Sequence, residues 1–340
     1  MNASAEPKAL VEVGAADVPS NPYLVADHAR GVAVVGTHAY VADGYSGLRV
    51  IDVSNPNAPL QSGSLDTPGL ADGIAVSGGL AYVADGTGMR VIDVSNPGVP
   101  VRLGFSSTTG YARDIAVVGK RAYIGDGSTL WILDVSSPSV PFTLGGLHTA
   151  DLISGVEVVN GIAYLAAEGS GLRVVDVSDP AAPVEIGLLD TPGHAEDVDV
   201  SDGIAYVADF NSGLRVIDVS NPAAPFELGF SDTPDQAYGV EVAGGVAYVA
   251  DFNSGLRVID VSNPAAPFEL GSFDTPGGAY RVAVDGGVAY VADWNSLRVI
   301  DVSNSAVPFE LGSLRVSGAS GGMEVVGGIV YLATAGGLRI

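Results

Sequence analysis

The sequence predicts an all-β fold, and two observations lead to this prediction. A motif of the form Ala-Tyr-Val-Ala-Asp recurs with its Tyr every 41 or 42 residues, at positions 40, 82, 123, 164, 206, 248, 290 and 331. Within each repeat, four short runs rich in β-branched and aromatic residues are separated by Gly, Asn, Ser and Pro, which is the pattern of strands joined by turns. A period of this length indicates a repeat architecture.

Repeat six shows the four predicted strands in order, at residues 239–243, 246–250, 256–261 and 268–271. A four-stranded sheet of this size cannot cover both of its faces, so the repeats must stack around a common axis. Eight repeats therefore predict an eight-bladed β-propeller built from four-stranded antiparallel blades. The chain is then a single domain over residues 1–340.

The two ends of the chain predict how the ring closes. The eighth repeat stops at Ile340, after its third strand, and residues 10–14 (Leu-Val-Glu-Val-Gly) match the fourth-strand pattern Phe-Glu-Leu-Gly. We expect residues 1–14 to supply the outer strand of the last blade, because a closed ring has no open sheet edge between its first and last blades.

The third strands carry a recognisable signature. They read Leu-Arg-Val-Ile-Asp at residues 48–52, 214–218 and 256–260, and Leu-Arg-Val-Val-Asp at 172–176. These segments resemble the LVIVD-repeat family of bacterial and archaeal propellers over nearly the whole chain. The resemblance implies the propeller fold and surface or secreted proteins of varied roles. Trp131 in place of the third-strand Arg and the shortened eighth repeat depart from the pattern.

The composition argues against several functions and locations. The net charge of -24 is unsuited to nucleic acid or anionic membranes, which need a basic surface. The chain has no Cys, which excludes disulfides and thiolate sites. No apolar run is long enough to span a membrane, and no signal peptide is visible. We expect a monomer at the cell surface or outside the cell, its leader absent from this chain; a cytoplasmic location is the alternative.

The repeats are regular on one rim and variable on the other. The turn after the third strand reads Asp-Val-Ser-Asn-Pro in most repeats, which indicates a structural role. The repeated third-strand Arg is expected to pair with the Asp that ends the second strand. By contrast, the segments just before the first strand and just after the second strand differ between repeats. Because strand direction alternates, both lie on one rim, where we expect the binding site over the channel mouth.

Six aromatic residues on the variable rim are the predicted ligand-binding residues: Tyr111, Phe210, Tyr238, Phe252, Tyr280 and Trp294. Aromatic faces stack on sugars and apolar groups, although loop aromatic residues also pack against neighbouring blades. The expected partner is a carbohydrate, a small molecule or a protein.

A second set of residues would carry catalysis if the protein is an enzyme: His28, His194, Arg30, Arg113, Arg281, Glu157, Asp199 and Glu241. Histidine is a general base near neutral pH, and the carboxylates lie on the innermost strand. The alternative is a salt-bridged or hydrated channel with solvated rim histidines, in which Arg or water satisfies the carboxylates. No catalytic, nucleotide-binding or metal-binding motif is present, so we predict no cofactor and no metal.

The sequence therefore favours a non-catalytic, secreted or surface-exposed propeller that binds a ligand or protein over the channel mouth. Two alternatives stay open. One is a hydrolase, lyase or isomerase with a His, Arg and carboxylate site at the same mouth. The other is a recently amplified or designed repeat scaffold without an evolved ligand, which the near identity of repeats five to seven suggests.

Overall fold

The computed structural model describes residues 15–16, 29–55, 58–294, 296–315, 320–335 and 337–340. Every regular element in these residues is a β-strand, and the strands form seven antiparallel sheets. None of the described segments is a helix long and apolar enough to cross a membrane. The predicted all-β architecture of four-stranded antiparallel sheets is confirmed.

Five sheets each contain the four strands of one repeat. Repeat one comprises β2 (Ala29–Val35), β3 (His38–Asp43), β4 (Leu48–Asp52) and β5 (Leu60–Leu65). Repeat four comprises β13 (Gly155–Val159), β14 (Ile162–Ala166), β15 (Leu172–Asp176) and β16 (Val184–Leu189). Repeat five comprises β17 (Asp197–Ser201), β18 (Ile204–Ala208), β19 (Leu214–Asp218) and β20 (Phe226–Ser231). Repeat six comprises β21 (Ala237–Ala243), β22 (Val246–Asp251), β23 (Leu256–Asp260) and β24 (Phe268–Phe273). Repeat seven comprises β25 (Ala279–Asp285), β26 (Val288–Asp293), β27 (Ser296–Asp301) and β28 (Phe309–Arg315).

Repeats two and three share one seven-stranded sheet, where the sequence predicts two separate sheets. Its strands are β6 (Ile74–Ser77), β7 (Leu80–Ala84), β8 (Gly86–Asp93), β9 (Val101–Val118), β10 (Arg121–Asp126), β11 (Thr129–Asp134) and β12 (Phe142–His148). The long β9 pairs with β8 on one side and β10 on the other. Pro68 and Pro192 interrupt the chain at this point in repeats two and five, whereas Thr109 of repeat three keeps its backbone N–H. Repeat four also lacks Pro here, with Ala150, and forms a separate sheet, so the absence of Pro permits the merging but does not require it.

The last sheet combines both ends of the described chain. It contains β29 (Ser320–Val326), β30 (Ile329–Thr334), β31 (Gly337–Arg339) and β1 (Ala15–Ala16). Ala15 lies opposite Arg339, and Ala16 lies opposite Leu338. The predicted closing strand at residues 10–14 lies outside the described residues. β29 and β30 also contact β2 of repeat one.

The core lies between neighbouring sheets. The described residues form eight apolar clusters, and each cluster draws its side chains from two adjacent repeats. Leu214 and Val216 of repeat five, for example, pack with Val249 and Ile259 of repeat six. The second and third strands are the most buried in each sheet, because they lie in its middle and are covered on both faces. Packing between adjacent sheets therefore rests mainly on the second and third strands.

The repeated Arg of the third strand pairs with the Asp that ends the second strand, as predicted. The Arg90 Nε to Asp85 Oδ2 distance is 2.6 Å, and the Arg298 Nε to Asp293 Oδ2 distance is 3.0 Å. Repeat three replaces this Arg with Trp131, whose indole N–H donates to Asp126 at 3.2 Å. The nitrogen donor is therefore conserved between these repeats although the residue type changes.

Candidate functional site

A cavity of about 590 Å³ lies where the first strands begin, and residues of all eight repeats line it. Much of the lining comes from two consecutive positions, ten and nine residues before the second-strand Tyr. The first position supplies Arg30, Asp72, Arg113, Glu196, Tyr238 and Tyr280, together with Ser154 and Gly321. The second supplies Asp114, Asp197 and Arg281, with Gly in repeats one, two, four and eight. The cavity is thus built from the segment that varies most between repeats.

A β-bulge presents these side chains to the cavity. In repeat one the strand register skips Arg30, because Ala29 lies opposite Asp43 and Gly31 lies opposite Ala42. The register skips Arg113, Tyr238 and Tyr280 in the same way. The extra residue of a bulge leaves the ladder and its side chain is redirected. The bulge therefore lets one position change between repeats without disturbing the sheet.

One part of the cavity holds a charge pair between repeats one and two. The Arg30 Nη1 to Asp72 Oδ2 distance is 3.4 Å, and the Tyr111 hydroxyl donates to the same oxygen at 3.1 Å. Burial and the negative charge of Asp72 raise the pKa of Tyr111 to about 12. Tyr111 is therefore a neutral donor at physiological pH. Arg113 is exposed and makes no ion pair with any residue that the structure describes.

Two carboxylates in the lining bridge neighbouring first strands. Asp197 accepts hydrogen bonds from the backbone N–H groups of Val198 and Val240, at 3.1 and 3.3 Å, and lies 3.6 Å from Arg281. Asp114 accepts hydrogen bonds from the backbone N–H groups of Ile115 and Val156. Burial raises the pKa of both carboxyl groups, while the charge of Arg281 and the N–H donors lower it.

The inner-strand carboxylates predicted as acid or base lie outside the cavity lining. Asp199 and Glu241 each accept a hydrogen bond from a first-strand N–H in the next repeat, contributed by Val242 and Val284. The sequence predicts Arg or water as the partners of these carboxylates, whereas the structure gives Asp199 and Glu241 backbone donors. The backbone N–H of Val200 lowers the pKa of Glu157. Burial raises the pKa of each carboxyl group, and that of Glu157 to about 7 with help from the charge of Asp199.

Five of the six predicted aromatic residues form one continuous set, which we call the aromatic run: Phe210, Tyr238, Phe252, Tyr280 and Trp294. The ring centroids are 5.4 Å apart for Phe210 and Tyr238, 4.8 Å for Tyr238 and Tyr280, and 5.6 Å for Tyr280 and Trp294. Phe252 contacts both tyrosine rings. Tyr111 of repeat three has no ring contact with the run among the described residues. Tyr238 and Tyr280 line the cavity, so the run extends from the cavity onto the rim.

The residues after the second strand adopt a backbone conformation that normally favours glycine. At this position repeats one to three have Gly, whereas repeats four to seven have Glu168, Phe210, Phe252 and Trp294, with φ between 32° and 46°. Left-handed φ costs a residue with a side chain about 1 kcal/mol relative to Gly. Three of the large side chains in the aromatic run are therefore held at backbone positions where Gly would be less strained.

The predicted catalytic residues do not come together. Arg30, Arg113 and Arg281 line the cavity, whereas His194 is exposed and contacts the ring of Phe210 outside the lining. His28 lies outside the described residues. In the described part of the chain, no group of three or more His, Asp and Glu side chains is arranged to hold a metal ion.

Four carboxylates that line the cavity are not among the site residues predicted from the sequence: Asp72, Asp114, Glu196 and Asp197. They occupy the same two repeat positions as the predicted Arg30, Arg113 and Arg281. Aligning the repeats on the second-strand Tyr would have identified them, because every repeat contributes its residue at these positions.

Comparison with solved structures gives the same architecture. The computationally designed Ika8 protein has a TM-score of 0.79 at 10% identity, with 92% of this chain and 95% of that chain covered. Chaetomium thermophilum Sqt1 bound to the N-terminus of the ribosomal protein L10 has a TM-score of 0.73 at 14% identity, with 92% of this chain and 96% of that chain covered. BamB from Moraxella catarrhalis has a TM-score of 0.67 at 13% identity, with 91% and 92% covered. At these identities the likeness shows a shared β-propeller fold.

Comparison of the sequence with known proteins gives the family. No curated protein matches the sequence. The model of the LVIVD repeat matches residues 26–67, 68–108, 109–149, 153–191, 192–233, 235–275 and 276–316. Because these matches cover most of its length, the chain belongs to the LVIVD repeat family.

Proposed function

We propose that this protein is a non-catalytic binding propeller that holds a segment of a partner protein over the mouth of the cavity. The observation that carries the proposal is the location of the variable positions. All eight repeats contribute to the cavity through the residues in which they differ most, while the turns after the third strands stay uniform. Variable residues on a rigid repeat scaffold are the usual basis of selective binding.

A protein segment fits the shape and chemistry of this region. The cavity of about 590 Å³ accepts a few side chains, and the rim beside it carries exposed aromatic residues such as Trp294. Aromatic residues beside a concave site are typical of protein interfaces. The similarity in fold to Sqt1, which was solved with the N-terminus of L10 bound, supports this kind of partner. A carbohydrate or other small molecule is the alternative occupant.

The lining favours binding over catalysis. It contains arginines, carboxylates and hydroxyls, but no His or Lys among the described lining residues. Two of its carboxylates already accept backbone hydrogen bonds, and Asp72 is paired with Arg30. The described lining therefore offers no histidine general base, which is one of the two kinds of base in the enzyme alternative, the other being an inner-strand carboxylate.

We also propose that the eight repeats form a closed eight-bladed ring with an N-terminal outer strand in the last blade. Apolar clusters join each repeat to the next, including Val41 and Ile51 of repeat one with Tyr331 and Leu338 of repeat eight. The pairing of β1 with β31 also supports this arrangement. Deletion of residues 1–16 is then expected to lower the melting temperature sharply, and an unchanged melting temperature would contradict the proposed closure.

A peptide-display selection tests the proposed binding function. Random twelve-residue peptides selected on the wild type are expected to lose binding to the double variant Arg113→Ala, Tyr280→Ala. They should keep binding to Phe226→Leu, which changes an exposed aromatic residue on an outer strand. Circular dichroism establishes that each variant is folded. Selected peptides that bind all three proteins equally, or a selection that enriches none, would contradict binding over the cavity mouth.

A further inference from the structure

The rings of the aromatic run pack directly on one another. Tyr238 meets Phe210 at an interplanar angle of 82° and Phe252 at 66°, so these rings pack edge to face rather than as a parallel stack. Tyr280 lies 4.8 Å from Tyr238 at 46°, and both line the cavity. The face of a Tyr ring carries a negative electrostatic potential, so ring surface that borders the cavity can receive a cation.

A carboxylate lies beside these rings. Glu196 lines the cavity, and after burial the charges of Glu196 and Asp235 raise the pKa of Tyr238. Burial and the charge of Glu168 raise the pKa of Glu196, whereas His194, Arg113 and Arg281 lower it. Within the described ranges, the carboxylates of Glu168, Glu196 and Asp235 form no ion pair. Asp72 and Asp197, by contrast, are already paired with Arg30 and Arg281.

We infer that the aromatic run, with Glu196 at its cavity side, is a subsite for the ammonium or guanidinium group of a basic side chain in the partner segment. The inference rests on the proposed function, because it names the chemistry of a group held at the same cavity mouth. The net charge of the chain, -24, attracts a basic segment to the protein and repels an acidic one. The faces of Tyr238 and Tyr280 then receive the cation, and Glu196 supplies the opposite charge.

The inference is tested with three capped nine-residue peptides on one Gly and Ser framework, carrying three Lys, three Gln or three Glu. Binding is measured by isothermal titration calorimetry at low and physiological salt. The Lys peptide is expected to bind at least about tenfold more tightly than the Gln peptide and to weaken as salt rises, because salt screens charge attraction. The Glu peptide is expected not to bind.

Variants of the protein separate this subsite from general attraction to an acidic surface. Tyr238→Leu removes a ring but keeps an apolar side chain, and Glu196→Gln removes one charge. Each variant is expected to bind the Lys peptide at least about fivefold more weakly than the wild type. The outer strand of repeat five offers two matched controls, Phe226→Leu and Glu227→Gln. Both control variants should bind the Lys peptide as tightly as the wild type does. If Tyr238→Leu does not fold, Tyr280→Leu replaces it.

The outcomes distinguish the inference from the proposed function. Equal binding of the Lys and Gln peptides, or equal losses in the site and control variants, would overturn the inference. A Glu peptide that binds best and is lost in Arg113→Ala would overturn it too, but would leave a binding function at the cavity mouth. If display peptides bind at the cavity mouth while none of the three designed peptides binds, only the inference fails; failure of both experiments overturns both.

Discussion

The side chain of Glu324 accepts a hydrogen bond of 2.6 Å from the backbone N–H of Val34, although these residues lie 290 positions apart in the chain. The same contact joins Asp199 to Val242 and Glu241 to Val284. A first strand is the edge of its sheet, so alternate N–H groups have no partner in the ladder. A carboxylate from the preceding repeat supplies that partner. The carboxylate of Glu324 thereby connects repeat eight to repeat one.

Removing this acceptor is expected to destabilise the protein. Glu324→Ala leaves the Val34 N–H without its carboxylate and should lower the free energy of unfolding by about 1–2 kcal/mol. Amide exchange at Val34 should become at least about tenfold faster. Glu324→Gln keeps an acceptor oxygen and is the matched control, with a smaller loss of protection. Unchanged exchange at Val34 in Glu324→Ala would show that the contact does not form in solution.

Strand positions were predictable from the sequence to within a few residues, because apolar alternation and turn residues act locally. The first strand of repeat six, predicted at 239–243, is Ala237–Ala243, because it continues through the bulge at Tyr238. The merging of repeats two and three was not predictable in this way. Repeat three has Thr109 where Pro68 and Pro192 stand in other repeats, but repeat four has Ala150 there and still forms a separate sheet.

The candidate site was only partly predictable. The position of the aromatic run followed from its place in the repeat, but its ring contacts depend on the spacing between blades, which no local pattern encodes. For the same reason the sequence alone predicts water or Arg as the partners of Glu241 and Asp199. Their backbone donors belong to the next repeat, about 43 residues along the chain.

Trp131 and Gly146 are expected to be energetically coupled. They lie opposite each other on β11 and β12, and a Cβ added to Gly146 would lie 2.7 Å from the indole ring. Repeats one, two and four to seven have Arg at the Trp131 position and Ser, Phe or Leu at the Gly146 position, for example Arg257 and Ser272. Gly146→Ser should cost about 1–3 kcal/mol in the wild type through overpacking.

The same substitution should cost less in a Trp131→Arg background, where the clashing ring is absent. Urea unfolding of both single variants and the double variant completes a double-mutant cycle. Additive losses would mean that Gly146 is not required by the indole ring.

Substitutions at Phe252 test the left-handed backbone conformation of the residue that follows the second strand of repeat six. With φ of 35°, Phe252→Gly should be more stable than Phe252→Ala by about 1 kcal/mol, because only Gly adopts this region without steric cost. Both variants lose the ring, so their difference isolates the backbone. The same pair at Ser272, a residue of strand β24, is expected to show the opposite order, with Ala more stable than Gly. Equal stability of the two Phe252 variants would contradict the observed conformation.

Glu157 predicts a pH dependence of stability. Its pKa is raised from 4.5 to about 7 in the folded protein, mainly by burial, so the folded state keeps a proton that the unfolded state releases near its ordinary pKa. The resulting stabilisation is complete below about pH 4.5 and is lost as the pH rises through 7.

Glu157→Gln stays neutral throughout. It should match the wild type near pH 4.5 and exceed its stability by about 1 kcal/mol at pH 8, an amount reduced by solvent screening. Thermal unfolding across this range measures the difference, with the more exposed Glu269→Gln as control. A difference that does not change with pH would mean that Glu157 ionises normally.

Gly31 and Gly155 occupy the same position in repeats one and four, yet their surroundings differ. A Cβ on Gly31 would lie 2.6 Å from the carbonyl oxygen of Asp72, whereas a Cβ on Gly155 would meet its nearest atom, in Asp197, at an ordinary 3.5 Å. Gly31→Ala is therefore expected to cost about 1–3 kcal/mol and Gly155→Ala close to nothing. Because the displaced backbone also carries Asp72, Gly31→Ala should loosen the Arg30 pair and weaken peptide binding at the cavity. Equal unfolding free energies for the two variants would show that repeats one and two are not packed this closely.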